Sequence, residues 1–237
     1  MPIGKIIEIE GTDGSGKETQ SYLLAENLKR LGIDAEVVSF PDYNSVSSDP
    51  VKLFLDGRFG TRDELTFMEI SMLYSFDRSY TVRKLNLKEK IKKGTWIILD
   101  RYVGSNIIYQ TVDLNENDFI SAYTKIEKLE YDMLDLPHPD QVIYLNLPRE
   151  ISKELIDKRN NPKDINEIDD EFLLKISTHG LWCARIMGWY IIDCYNETYR
   201  LDDTGNIRYN IKTKDEIATI IFRSICKKLL KMELGDE

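Results

Sequence analysis

The sequence lacks the features that indicate a membrane or an extracellular protein. It contains no stretch of about 18 consecutive apolar residues, the length that a membrane-spanning helix needs. The first residues run directly into "GKIIEIEG" (4–11) without the pattern of a signal peptide. The three cysteines, Cys183, Cys194 and Cys226, have no Cys-x-x-Cys spacing, which predicts reduced thiols rather than metal ligands or disulfides. These absences predict a cytoplasmic protein with no membrane partner.

Acidic residues outnumber basic ones, with 41 Asp and Glu against 32 Lys and Arg. The net charge of -9 argues against a general nucleic-acid binder, although a local basic cleft could still hold phosphate groups. Proline and glycine are few, with 7 and 13 residues, so a low-complexity chain is not expected. A chain of 237 residues can bury a sizeable core, and we expect one domain over residues 1–237.

Five short apolar runs, rich in Ile and Val, alternate with helical patterns. The runs lie at 5–10, 35–40, 96–100, 141–147 and 189–194, and helical patterns lie at 17–31, 63–92, 116–134, 148–159, 167–187 and 214–232. Such alternation predicts parallel strands joined by right-handed crossovers, hence a three-layer α/β/α sandwich around a five-stranded parallel sheet. Residues 196–210 have the pattern of a short hairpin.

A glycine-rich segment follows the first apolar run, within "EIEGTDGSGKETQ" (8–20). Gly11, Gly16 and Lys17 have the spacing of a phosphate-binding loop, in which backbone N–H groups and a helix N-terminus surround the phosphates of a nucleoside triphosphate. Lys17 can reach the β- and γ-phosphate oxygens. A chance cluster of glycines in a turn is the alternative. The residues predicted to bind the donor are Gly11, Asp13, Gly14, Ser15, Gly16, Lys17, Glu18 and Thr19.

Glu18 departs from the common pattern, because a Ser or Thr that binds magnesium is expected at its position. A carboxylate is a good ligand for a hard cation, so Glu18 could replace that hydroxyl directly or through water. Asp100, at the end of the third apolar run, is the second predicted Mg²⁺ ligand, although an Asp there could also simply terminate a strand. We therefore expect a working site for a nucleoside triphosphate and Mg²⁺ rather than a decayed one.

Two long motifs then resemble the thymidylate kinase family: "GTDGSGKETQ" (11–20) and "DRYVGSNIIYQ" (100–110). Shorter matches are Phe40–Pro41, "LYSFDR" (73–78) and "RNNPKDINEID" (159–169), so that the resemblance covers the chain from Lys5 to about Leu230. It implies a P-loop NTPase fold with a short lid at about 158–169, and transfer of the γ-phosphoryl group of ATP to dTMP, which yields dTDP and ADP. It also implies a homodimer.

The resemblance further implies the acceptor site. Arg101, whose planar guanidinium suits two phosphate oxygens, would bind the dTMP phosphate, although it could also be a surface salt-bridge residue. Tyr74 would stack on thymine and Arg78 would hydrogen-bond to the base, where an ordinary packing pair is the alternative. The full predicted substrate set is Asp13, Phe40, Pro41, Tyr74, Arg78, Arg101, Ser105, Tyr109 and Gln110. Ser105 matches a base contact, Tyr109 the residue beside the deoxyribose, and Asp13 the carboxylate near the 3′-hydroxyl.

In the family that this chain resembles, either the glycine loop or the lid supplies an arginine that closes over the γ-phosphate. The glycine loop here contains no arginine, so the resemblance implies one from the lid. We choose Arg159, with Lys158 and Lys163 as possible helpers; a basic cluster at a helix C-terminus is the alternative. The predicted catalytic residues are Lys17, Arg101, Arg159 and Asp13. Two other functions stay open: a deoxynucleoside kinase of similar fold, and a catalytically weak nucleotide-binding P-loop protein.

Overall fold

The fold is described from a computed structural model, which covers residues 3–157, 169–201 and 207–232. Its central sheet contains β1 (Ile6–Gly11), β2 (Ala35–Ser39), β3 (Trp96–Asp100), β4 (Gln141–Asn146) and β5 (Tyr190–Asp193). The strand order is β2-β3-β1-β4-β5, and every neighbouring pair is parallel. The predicted five-stranded parallel sheet is confirmed.

Helices cover both faces of the sheet, as the predicted sandwich requires. They are α1 (Lys17–Arg30), α2 (Asp49–Leu55), α3 (Phe67–Lys84), α4 (Leu87–Lys92), α5 (Val103–Gln110), α6 (Glu116–Glu127), α7 (Arg149–Asp157), α8 (Asp170–Ile186) and α9 (Lys214–Ile225). β6 (Tyr195–Leu201) and β7 (Ile207–Ile211) form the predicted antiparallel hairpin. No helix in the ranges described is long and apolar enough to cross a bilayer.

The two faces of β1 enter different cores. Ile7 and Ile9 are fully buried and pack with residues of α1 and α9 on one side of the sheet. Ile6 faces the other side, where α3, α5, α6 and α8 contribute the apolar residues. Since side chains alternate along a strand, Glu8 and Glu10 point to the same side as Ile6, and they are almost completely buried there.

The helices differ most from the sequence prediction in the segment 63–92. The pattern at 63–92 forms two helices, because Asn86 adopts a left-handed backbone conformation (φ 53°) between α3 and α4. α3 begins only at Phe67, where Thr66 and Glu69 form a reciprocal capping box. The short helices α2 and α5 were not predicted. α5 contains the second long motif, in which polar and apolar residues do not follow the helical period over enough positions to predict a helix.

Candidate active site

A cleft of about 430 Å³ opens at the carboxyl ends of β1, β2 and β3, the usual ligand position in a parallel α/β sheet. Its walls contain most of the residues singled out in the sequence: Asp13, Gly14, Gly16, Lys17, Glu18, Thr19, Phe40, Pro41, Tyr74, Arg78, Asp100, Arg101, Ser105, Tyr109 and Gln110. Gly11 and Ser15 lie outside this lining. Arg159 and the lid segment 158–168 lie outside the described residues.

The glycine loop has a backbone that other residues could adopt only with strain. Gly11, Gly14 and Gly16 have φ values of 149°, 82° and 85°. A Cβ on Gly11 would lie 2.7 Å from the carbonyl oxygen of Leu145, which is backbone and cannot move aside. α1 begins directly after Gly16 without a side-chain cap, so its first amides remain available to an anion.

Lys17 lies at the N-terminus of α1 and is only 6% exposed. Its Nζ donates a hydrogen bond of 2.8 Å to the carbonyl oxygen of Thr12 and lies 3.9 Å from Asp13 Oδ1. Burial lowers the pKa of Lys17, and the positive charge of Arg101 adds to this effect. Nearby carboxylates oppose both, and the resulting pKa is about 8. The buried ammonium group would therefore be stabilised by a phosphate anion bound beside it.

Arg101 joins the two long motifs in space. It follows β3 with a left-handed backbone (φ 64°), its NH1 donates to Ser105 Oγ at 3.1 Å, and its NH2 forms an ion pair with Asp13. The Tyr109 hydroxyl donates to the other Asp13 oxygen at 3.0 Å, and the guanidinium lies 5.5 Å from the Tyr109 ring centroid. These four side chains, predicted separately, form one cluster at the cleft wall.

Glu10 accepts hydrogen bonds from residues of this cluster and from its neighbour Tyr102, and it was not selected from the sequence. Its Oε1 accepts hydrogen bonds from the N–H groups of Tyr102 and Ser105 at 2.9 Å, and its Oε2 accepts from Ser105 Oγ at 2.7 Å. Glu8 accepts from the N–H of Gly104 at 2.7 Å. Burial raises the pKa of Glu8 well above its usual range, and the charge of Glu10 adds to the effect. The two acidic residues inside an apolar strand were the available signal.

Arg78 is buried at the far wall of the cleft, and its guanidinium is largely occupied by protein groups. Nε donates to Glu130 Oε2 at 3.1 Å, NH2 forms an ion pair with Glu130 Oε1, and NH1 donates to the carbonyl oxygen of Tyr102 at 3.3 Å. Asn106, which also lines the cleft, donates from Nδ2 to Glu130 Oε1 at 2.8 Å. Neither Glu130 nor Asn106 was selected from the sequence.

The carboxylates predicted for Mg²⁺ both line the cleft beside the loop. Within the described part of the chain, no three His, Cys, Asp or Glu side chains are grouped as a complete metal cage. Mg²⁺ is commonly held by one or two carboxylates, with water and substrate phosphates as the other ligands. Asp100 and Glu18 are hard oxygen donors and fit that pattern.

The fold and cleft define a class. The central strand β1 of the five-stranded parallel sheet leads through a glycine loop to a helix that begins with a buried lysine, and an arginine cluster faces this lysine. This is the arrangement of a P-loop kinase. The family model for thymidylate kinase matches residues 9–202. The chain belongs to the thymidylate kinase family.

Several known proteins are similar to this chain. Probable thymidylate kinase 1 of Saccharolobus solfataricus is 33% identical over 193 residues, which cover 80% of this chain and 88% of that protein. Thymidylate kinase of Mycobacterium tuberculosis (strain ATCC 25618 / H37Rv) is 31% identical over 151 residues, 63% of this chain and 69% of that protein. The solved structure of thymidylate kinase from Candida albicans superposes with a TM-score of 0.68 at 23% identity, covering 99% of this chain and 96% of that one, which shows the shared fold.

Proposed function

We propose that the protein transfers the γ-phosphoryl group of ATP to the 5′-phosphate of dTMP and releases dTDP and ADP. The observation that carries this proposal is the cleft itself, because it brings the glycine loop with Lys17 and the Arg101 cluster to one opening. One half is suited to a donor polyphosphate, and the other to an acceptor that already carries a phosphate. Family membership supports the same reaction.

On the donor side, amides of residues 11–19 surround the β-phosphate and Lys17 bridges the β- and γ-phosphates of ATP. The buried position of the Lys17 ammonium strengthens its attraction for phosphate, since little water competes. Glu18 and Asp100 hold Mg²⁺ and its waters. When bound, Mg²⁺ offsets the charge of the β- and γ-phosphates.

On the acceptor side, Arg101 binds the dTMP phosphate, and the contact with Ser105 and the ion pair with Asp13 orient its guanidinium. Tyr109 lies beside the sugar and Asp13 meets the 3′-hydroxyl. Tyr74 stacks on the base, with Arg78 and Ser105 at the base edge. Phe40, Pro41 and Gln110 complete the wall of this half.

Four further parts of the proposal rest mainly on the sequence. Residues 1–237 form one domain, Arg159 of the lid at about 158–169 is the catalytic arginine, and the protein is cytoplasmic. The protein is also a homodimer, and the exposed Met72 and Phe76, four residues apart on α3, offer one apolar face for it. Light scattering after size-exclusion chromatography tests the dimer; a monomer at micromolar concentration would contradict it.

A coupled assay of ADP release tests the proposed reaction. The acceptors are dTMP, dUMP, AMP, CMP and GMP, with thymidine as the acceptor that lacks a phosphate. We expect turnover with dTMP and little with thymidine, because the Arg101 cluster needs an anionic acceptor. We expect little with AMP or GMP, because the wall with Tyr74 and Arg78 is proposed to hold a thymine base. Turnover with thymidine in place of dTMP would indicate a deoxynucleoside kinase. Binding of ATP without transfer to any acceptor would indicate a non-catalytic nucleotide-binding protein.

A further inference from the structure

Glu130 is a fully buried carboxylate with four donors directed at it. Its Oε1 accepts from Ser75 Oγ at 2.7 Å, from Asn106 Nδ2 at 2.8 Å and from Arg78 NH2, and its Oε2 accepts from Arg78 Nε at 3.1 Å. Glu130 itself does not line the cleft, whereas Arg78 and Asn106 both do. The carboxylate therefore acts on the cleft through these two neighbours.

The backbone at Glu130 is also unusual. After α6 the chain forms a π-helical turn over Lys128–Met133, in which Glu130 is the buried residue. π-helical turns are rare, and they occur frequently at functional sites. A buried ion pair is weak evidence for stability, because its desolvation offsets much of the attraction. The π turn and the full set of donors favour a role in setting the orientation of Arg78 and Asn106.

Glu130 determines which end of the Asn106 amide faces the cleft. A carboxylate only accepts hydrogen bonds, so the amide nitrogen must face it, and the carbonyl oxygen of Ser71 at 3.3 Å favours the same orientation. The opposite end, Asn106 Oδ1, is buried and has no hydrogen-bond partner among the described residues. Because the residue Asn106 lines the cleft, a buried acceptor without a described partner lies next to the cleft.

Glu130 orients Arg78 in the same way. Nε and NH2 are directed at the carboxylate, and one N–H of NH1 is directed at the carbonyl oxygen of Tyr102. The second N–H of NH1 has no partner within the described part of the chain. Both residues line the cleft, so one donor from Arg78 and one acceptor from Asn106, each without a partner among the described residues, lie next to it.

We infer that Glu130 is a positioning residue that sets the base preference of the acceptor site, a 4-keto pyrimidine with an N3–H rather than a 4-amino pyrimidine. Thymine and uracil present an O4 acceptor and an N3–H donor, which complement the Arg78 donor and the Asn106 acceptor. Cytosine presents an amino donor and an N3 acceptor, and would face donor with donor and acceptor with acceptor. The inference rests on the proposed function, since it assumes that a pyrimidine monophosphate occupies this half of the cleft.

Glu130→Gln tests the inference, because it replaces one acceptor oxygen with a donor and keeps the shape. The readout is the ratio of kcat/KM for dTMP to that for dCMP. A site built to hydrogen-bond one base edge rejects the opposite edge by roughly 10⁴-fold, and we expect the variant to reduce the ratio by about tenfold or more. The loss for dTMP should appear mainly in KM. Glu130→Asp keeps an acceptor-only group and should remain closer to the wild-type ratio.

Asp77→Asn is the matched control. Asp77 is a buried carboxylate on the same helix as Arg78, and it accepts from Ser47 Oγ at 2.6 Å and from the N–H of Asp42 at 2.9 Å. The same carboxylate-to-amide change there should lower the melting temperature without changing the dTMP to dCMP ratio. If Glu130→Gln also changes only the melting temperature, with the ratio within about twofold of wild type, the inference is wrong.

Calorimetry on the wild-type protein provides a second test, which holds even if Glu130→Gln does not fold. We expect dTMP to bind at least about tenfold more tightly than dCMP and than N3-methyl-dTMP, whose methyl group removes the N3–H donor. Equal affinities for the three nucleotides would overturn the inference. If dTMP binds with this preference but no phosphoryl transfer occurs, the proposed function fails, while the base preference that the inference assigns to Glu130 is supported. If dTMP does not bind, both fail.

Discussion

The pKa of Lys17 predicts an alkaline limit to ATP use. Burial and the charge of Arg101 place this pKa at about 8, so the ammonium form predominates at pH 7 and the neutral amine at pH 9. Only the ammonium form attracts the β- and γ-phosphates. We therefore expect kcat/KM for ATP to fall as the pH rises through about 8.

The magnitude follows from the protonated fraction. With a pKa of about 8, roughly nine-tenths of Lys17 is charged at pH 7 and roughly one-tenth at pH 9, so kcat/KM should fall about tenfold over this range. Because kcat/KM reports the free enzyme, the alkaline limb of its pH profile, where the value falls with rising pH, should be centred near pH 8. In the ATP complex the phosphates stabilise the ammonium group, so the alkaline limb of the kcat profile should lie at higher pH.

The assay is the initial rate of ADP release from pH 6.5 to 9.5 at a dTMP concentration far below its KM, so that the enzyme is free before ATP binds. ATP is varied at each pH, and circular dichroism confirms the fold. Lys17→Arg is the control, because a guanidinium keeps its charge throughout this range. We expect a lower rate for this variant but no limb near pH 8. A wild-type profile that is flat to pH 9.5, or the same limb in Lys17→Arg, would refute the reasoning.

Three further predictions concern the metal, the glycine loop and the support of the Arg101 cluster. In titrations of the rate with Mg²⁺ at fixed ATP, Asp100→Asn and Glu18→Ala should each raise the half-saturating Mg²⁺ concentration about tenfold. Glu18→Thr should restore the wild-type concentration. Unchanged titration curves would show that neither residue binds the metal. In urea unfolding, Gly16→Ala should lower the free energy of unfolding by about 1–2 kcal/mol, from backbone strain alone, because no atom lies near the added Cβ. Gly11→Ala should lower it by about 3 kcal/mol or more, because strain and overlap with backbone add together. Equal losses for the two variants would contradict this. Glu10→Leu should cost about 3 kcal/mol by leaving three donors unpaired, and Glu10→Gln clearly less; melting curves that coincide would count against that role.

Much of the fold could be predicted from the sequence, because buried parallel strands produce short apolar runs. All five runs form strands, and Gly11 to Lys17 connect the first strand to the first helix as the motif requires. The break at Asn86 was missed because no Gly or Pro marks it in the sequence, although asparagine is one of the few residue types that adopt the left-handed conformation readily. α5 was missed because its N-terminus is stabilised by Glu10 from a distant strand.

The residues of the candidate site also fall into those that the sequence predicts and those that only the structure reveals. Residues within the two long motifs, such as Lys17, Asp13 and Arg101, could be selected because neighbouring letters carry the pattern, and the structure brings them together at the cleft. Glu130 could not, because its function depends on contacts with Arg78 and Asn106 that are 52 and 24 residues away in the chain. Such contacts join residues that are distant in the chain, so they produce no spacing pattern in the local sequence.

Product analysis tests the central claim most directly. ATP and dTMP are incubated with the protein and Mg²⁺, and the nucleotides are followed by phosphorus NMR. The account predicts that dTDP and ADP form in equal amounts and that Lys17→Ala, folded by circular dichroism, forms neither at a comparable rate. If dTMP stays unchanged at every Mg²⁺ concentration while calorimetry shows that both nucleotides bind, the protein is not a thymidylate-phosphorylating enzyme and the account is contradicted.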